Sequence, residues 1–207
     1  MLGDLLKYYK DKGCLGIGEI TANLPILDKR VQNLFYYAEQ EQMPVTFHLA
    51  DKDRGMYGLI DECGLVGLEK CLQEFPELLF LGHSMMFWSE IGSLKFPEDH
   101  IGKPEYPICK EGRLIELFRL YPNLYGDLSS GSGANALMRD PVYAAKFLKE
   151  FQDRLFFGLD ICDPDGWISP LPGFLKELLS KDIISLKIFN KITRENASSI
   201  ILNNNKK

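Results

Sequence analysis

Only three histidines occur in the chain, and two of them follow short apolar runs: His48 after Val-Thr-Phe and His83 after Leu-Phe-Leu-Gly. Asp160 follows Phe-Phe-Gly-Leu in the same way, Glu19 follows Gly-Ile-Gly, and Asp127 follows Leu-Tyr-Gly. Imidazole with carboxylate is a donor set for zinc first, and for manganese, iron or nickel as alternatives. Catalytic zinc takes about three protein ligands and keeps a water whose pKa falls toward about 7, so that it becomes a hydroxide nucleophile. A carboxylate such as Asp160 then accepts its proton. One histidine near a core is more often a hydrogen-bonded structural residue, but two histidines and two acids in equivalent places favour a metal site of His48, His83, Asp160 and Glu19. Glu19 reads equally as a metal ligand or as a carboxylate that orders a loop.

Further residues surround this set. Asp127 opens Asp-Leu-Ser-Ser-Gly-Ser-Gly, and Ser129 with Gly131 and Gly133 would offer donors to an anionic substrate, although Ser and Gly before a helix are foremost N-cap chemistry. Cys162 lines the pocket beside Asp160 or packs inertly. Trp88, with Met85, Met86 and Phe87, forms a substrate wall or, more commonly, part of the core. His100 lies in a proline-rich stretch and is expected to face solvent. The chain has no P-loop, no Gly-x-Gly-x-x-Gly after a strand and no Gly-x-Ser-x-Gly elbow.

The elements that must position these residues alternate regularly. Apolar runs predict strands at 14–20, 44–50, 78–83, 123–128 and 154–160. Between them, helical periodicity predicts helices over 2–12, from Asp28 to about 42, 65–75, 114–121 and one or two within 132–151, with more closing the chain. A loop containing Gly55, Gly58 and Gly64 precedes the third helix, 87–112 reads as a lid, and the Asn-rich C-terminal end as frayed. Strand–helix alternation with strands buried on both sides implies a parallel α/β sheet, and the polar residues fall on its C-terminal edge, where such sheets build active sites.

Composition bounds the function. At 207 residues, 45% hydrophobic and 26% charged, the chain is one globular domain over 1–207. A net charge of −5 argues against nucleic acid as partner, and no apolar run approaches the roughly 20 residues of a membrane span. Five cysteines without a Cys-x-x-Cys pair disfavour a disulfide framework or zinc ribbon, so a cytoplasmic location is expected.

Taken in order, Gly-Ile-Gly-Glu-Ile, Pro-Val-Thr-Phe-His, Phe-Leu-Gly-His-Ser, Leu-Tyr-Gly-Asp-Leu-Ser-Ser-Gly-Ser-Gly and Leu-Phe-Phe-Gly-Leu-Asp resemble the metal-dependent amidohydrolases. The nearest branch is the amidohydrolase-related, dihydroorotase-like group that includes aminocarboxymuconate semialdehyde decarboxylase, whose last helix the ending Lys-Ile-Thr-Arg-Glu-Asn-Ala also resembles. The resemblance implies a TIM-barrel-like fold with a metal at its C-terminal mouth. It makes His48 the fifth-strand ligand, His83 a sixth-strand ligand or substrate-orienting group, Asp160 the eighth-strand aspartate that handles the water's proton, and Glu19 a fourth-strand, metal-bridging acid. The family's first strand carries His-x-His, and this sequence contains none. Five strand–helix units, matching the fourth to eighth, make a partial barrel whose open edges a homo-oligomer or second chain is expected to cover. The implied activity is metal-dependent hydrolysis of a C–N or C–O bond in a small molecule. The alternatives are a decarboxylase-type lyase, or a degenerate binding or oligomerisation module.

Overall fold

Short apolar runs separated by amphipathic helices bury both best as a parallel sheet with helices packed against it. The computed structural model describes residues 1–51 and 57–204, the last four by backbone only, so Gly55 and the final three residues lie outside the described residues. Seven strands form one open parallel sheet: β1 (Ile17–Ile20), β2 (Ala22–Pro25), β3 (Val45–Ala50), β4 (Gly58–Ile60), β5 (Phe80–His83), β6 (Leu124–Asp127) and β7 (Leu155–Phe156). Their order is β2-β4-β3-β5-β6-β7, and β1 also pairs with β3. This is a partial barrel, as expected, but with two more strands than the five foreseen.

Both additions have local causes. β1 lies along the first half of β3, with Ile17 opposite Val45, while β4 takes the second half, with Leu49 opposite Leu59. The chain breaks at Thr21 and resumes as β2 beside β4. Pro25, which lacks an amide hydrogen, is tolerated there because β2 is an edge strand. The last predicted strand, 154–160, shrinks to two residues because the Phe157 N–H donates to the Ile192 carbonyl at 3.0 Å and leaves the sheet.

Helices α1 (Leu2–Asp11), α2 (Lys29–Gln40), α3 (Val66–Glu74), α4 (Met85–Ser89), α5 (Arg113–Leu120), α6 (Ser130–Met138), α7 (Pro141–Glu150), α8 (Leu171–Ser180), α9 (Leu186–Asn190) and α10 (Asn196–Asn204) link and cover the strands. Their ends follow capping chemistry. Gly13, at φ +95°, ends α1; Asp28 accepts the Arg30 N–H at 2.9 Å; Asp140 accepts the Tyr143 N–H at 3.0 Å before Pro141. The buried Asp61 carboxylate accepts the Gly67 and Leu68 N–H groups at 2.8 and 2.9 Å, satisfying the start of α3.

The two faces of the sheet differ. Val45, Phe47, Phe80, Leu124 and Leu155 are fully buried in one aliphatic and aromatic core with Phe35, Phe118 and Phe147. Thr46, Leu81 and Tyr125, which alternate with them, are only partly buried. Burial on both sides therefore fails on this inward face, because an unclosed sheet has no opposite wall. A cleft of about 430 Å³ remains there, lined by Gly16, Thr46, Leu81, Phe156 and, from α10, Ala197 and Ile200.

The 87–112 stretch, expected as a lid, begins inside the core. α4 drives Phe87 and Trp88 onto the helix-covered face over Gly82 and Gly126, where an added Cβ would lie 2.1 Å from Phe87 Cε2 and 2.8 Å from Trp88 Cη2. Glycine is required at both positions by this close approach. The segment then makes a 3₁₀ turn at Pro97–Ile101 and returns through a bridge between Gly92 and Glu111.

Candidate metal centre at the strand ends

Alternation and register together build the site. His48, His83 and Asp127 stand two positions beyond Thr46, Leu81 and Tyr125, so they share the inward face at the carboxyl ends of β3, β5 and β6. Thr46 pairs with Leu81 and His48 with His83, which places the two imidazoles side by side with ring centroids 5.5 Å apart. Glu19 arrives from β1. Its Oε1 lies 2.6 Å from His48 Nδ1 and 3.8 Å from His83 Nε2.

Asp160 approaches this set from a loop and not from a strand. It sits in the loop after β7 at φ +57°, with its side chain 40% exposed and Oδ2 3.8 Å from His83 Nε2. Asp127 and Ser129 hold the opposite nitrogen: Asp127 Oδ2 and Ser129 Oγ lie 3.4 and 3.2 Å from His83 Nδ1. Ser129 occupies the N-cap of α6, yet its hydroxyl turns to His83 and makes no cap bond. The Ser84 hydroxyl, one residue past His83, accepts the Leu49 and Phe87 N–H groups at 3.2 and 3.3 Å and ties β3 to α4.

The remaining residues divide. Cys162 is exposed beside Asp160, with Sγ 3.7 Å from the Asp160 carbonyl oxygen. Trp88 is a correction to the substrate-wall reading: it is 1% exposed, and its indole N–H donates to the Asp127 carbonyl at 2.8 Å from within the core. The aromatic ring that does reach the site is Tyr57, whose centroid is 4.5 Å from that of His48. Nothing in the sequence pointed to it, because β4, which it precedes, was not foreseen. His100 is a second correction: it is 6% exposed and buried apart from this cluster.

The electrostatics fit a cation. Burial pushes His48 below the ordinary imidazole pKa, against the pull of Glu19. Burial acts on His83 in the same sense, but the hydrogen bond to Asp127 and the charges of Glu19 and Asp160 outweigh it and raise His83. Three carboxylates thus face two imidazoles, a field in which added positive charge is favoured. One ligand atom each from Glu19, His48 and His83 lies within 4.8 Å of the other two, a spacing that a divalent ion can bridge.

Neither a protein-family model nor a curated protein sequence matches the chain. Solved structures do. An uncharacterised TIM-barrel protein from Bordetella bronchiseptica aligns with 99% of this chain and 72% of its own, at 18% identity and TM-score 0.57. A 2,6-dihydroxybenzoate decarboxylase complexed with 2,6-dihydroxybenzoate aligns with 97% of this chain and 66% of its own, at 16% identity and TM-score 0.57. A dihydroxybenzoic acid decarboxylase from Polaromonas sp. JS666, with bound manganese and 2-nitroresorcinol, aligns with 98% of this chain and 65% of its own, at 15% identity and TM-score 0.57. The likeness establishes the fold as part of a TIM barrel; the chain spans about two thirds of the length of these proteins. Among the described residues, no helix is long and apolar enough to cross a membrane.

Proposed function

We propose that the chain carries a divalent-metal decarboxylase centre of the amidohydrolase type, acting on a small hydroxylated aromatic acid. The observation that carries this reading is the convergence of Glu19 and Asp160 on His83 Nε2, each at 3.8 Å, at the carboxyl edge of a sheet shaped like those of two dihydroxybenzoate decarboxylases. Glu19, His48 and His83 are the residues that would hold the ion. When bound, the ion supplies a positive charge that orients the substrate carboxylate and neighbouring hydroxyl.

The chain's own groups supply the rest. Asp127 and Ser129 fix the His83 ring, so that Nε2 faces the site. Asp160 stands at the rim, in contact with water, where a proton is handed over and replenished. In decarboxylation the bond between ring carbon and carboxylate breaks, its electron pair stays on the ring carbon, carbon dioxide leaves, and Asp160 delivers the proton that forms the new C–H bond. Tyr57 provides an aromatic surface beside His48 for the substrate ring. Zinc and manganese both suit the mixed nitrogen and oxygen donors.

Incubation of the manganese- or zinc-loaded chain with 2,6-dihydroxybenzoate and related hydroxybenzoates tests the reading. Release of carbon dioxide with an equimolar amount of the decarboxylated ring, resorcinol from 2,6-dihydroxybenzoate, supports it. Turnover of amide or ester substrates alone would favour hydrolysis instead. Metal binding without turnover of either class would make the chain a binding module, in keeping with its lack of His-x-His.

A further inference from the structure

A second set of metal-binding side chains lies elsewhere and shares no residue with the strand-end centre. Cys63 comes from the loop between β4 and α3, Glu90 from the end of α4, and His100 from the 3₁₀ turn. One ligand atom from each lies within 4.8 Å of the other two. Glu90 Oε1 is 3.5 Å from Cys63 Sγ and 3.2 Å from His100 Nδ1. Ligands about 2.3 Å (sulfur) and 2.0–2.2 Å (nitrogen, oxygen) from a tetrahedral zinc stand about 3.3–3.6 Å from one another, close to both separations.

His100 supplies an independent observation. It is 6% exposed; Nε2 has no hydrogen-bond partner, and Nδ1 faces the Glu90 carboxylate at 3.2 Å. A buried imidazole nitrogen left without a partner is unfavourable unless something occupies the space beside it. Glu90 is itself 4% exposed and accepts the Gly64 N–H at 2.7 Å, which fixes the carboxylate. Cys63 and His100 border a cleft of about 580 Å³, from which a water can complete four-fold coordination.

We propose that Cys63, Glu90 and His100 bind a zinc ion that fastens the 84–112 excursion to the loop before α3. The two ends of α4's excursion, Glu90 and His100, are thereby joined to Cys63 in the loop before α3, so the ion stabilises the path of the chain around α4 rather than the strand-end chemistry.

Two measurements on the full chain test this. Cobalt(II) titration should give thiolate-to-cobalt charge-transfer absorption in the near ultraviolet, because of the two candidate ligand sets among the described residues this one contains a sulfur. The absorption should persist in His48→Ala/His83→Ala and vanish in Cys63→Ser. No such absorption at cobalt saturation, or its survival in Cys63→Ser, overturns the proposal. Alkylation of the unmodified chain by iodoacetamide, mapped by mass spectrometry, needs no variant. Zinc should protect Cys63 at least ten-fold over the chelator-treated chain while Cys14 and Cys109 react equally in both. Equal labelling of Cys63 with and without zinc overturns it.

Discussion

Asp127 and His83 lie 3.4 Å apart, Oδ2 to Nδ1, at the ends of adjacent strands β6 and β5, and this contact turns the other ring nitrogen toward Glu19 and Asp160. Asp127→Asn keeps the shape but removes the charge that holds His83. Manganese affinity at the strand-end centre should fall about 10–100-fold, the usual cost of losing a carboxylate behind a ligating histidine. Calorimetric titration on the Cys63→Ser background isolates that centre. Unchanged affinity would show that Ser129 alone orients the ring.

Asp160 stands outside the tight group of Glu19, His48 and His83, so its loss should separate chemistry from metal binding. In Asp160→Asn the metal content is expected to stay constant, while decarboxylation falls about 10²–10⁴-fold, the scale of a lost proton-transfer group. Loss of metal in parallel would make Asp160 a ligand.

Gly82 is pressed against Phe87. Gly82→Val puts methyl groups where Phe87 Cε2 already stands 2.1 Å from a built Cβ, so urea denaturation should show a loss of about 1–3 kcal/mol from overpacking. Adding Phe87→Leu should recover part of that loss; strictly additive losses would mean that the two residues do not share the space.

Cys71 is buried on α3, and burial, only partly offset by the Gln32 side chain, pushes its thiol up to about 12 from the ordinary 9.0. The unfolded chain ionises this thiol from pH 9 upward and the folded chain does not. The unfolded state then holds fewer protons, so stability is full below pH 9 and is lost as pH rises toward 12. Cys71→Ala should be less stable at neutral pH but show a flatter decline over this window. Parallel stability–pH curves for the two chains would assign the decline to other groups.

Much of this centre was legible because strand residues alternate faces. Histidines and acids closing apolar runs must gather at one edge once the runs lie parallel, and the pairing of His48 with His83 follows directly. Asp160 was expected at a strand end, whereas a loop carries it beside His83. β2 and β4 escaped because three or four residues interrupted by Pro25, or opened by Gly58 at φ +142°, carry no periodicity of their own. The burial of His100 was equally hidden, whereas for Trp88 the core was already the commoner reading. A proline-rich excursion does not announce which of its side chains will find a neighbour; for Trp88 the space was made by a glycine on another strand, Gly126.

The margins of the sheet also limit how another molecule can complete it. One margin breaks at Thr21 and ends in a proline, and the other offers only Leu155 and Phe156. An incoming strand would meet few consecutive amides and carbonyls on either side, so growth by backbone pairing is blunted from both directions. What the partial barrel offers instead is the side-chain surface of the inward cleft, Thr46, Leu81 and Phe156, where fit is a matter of shape and not of the generic adhesiveness of exposed backbone.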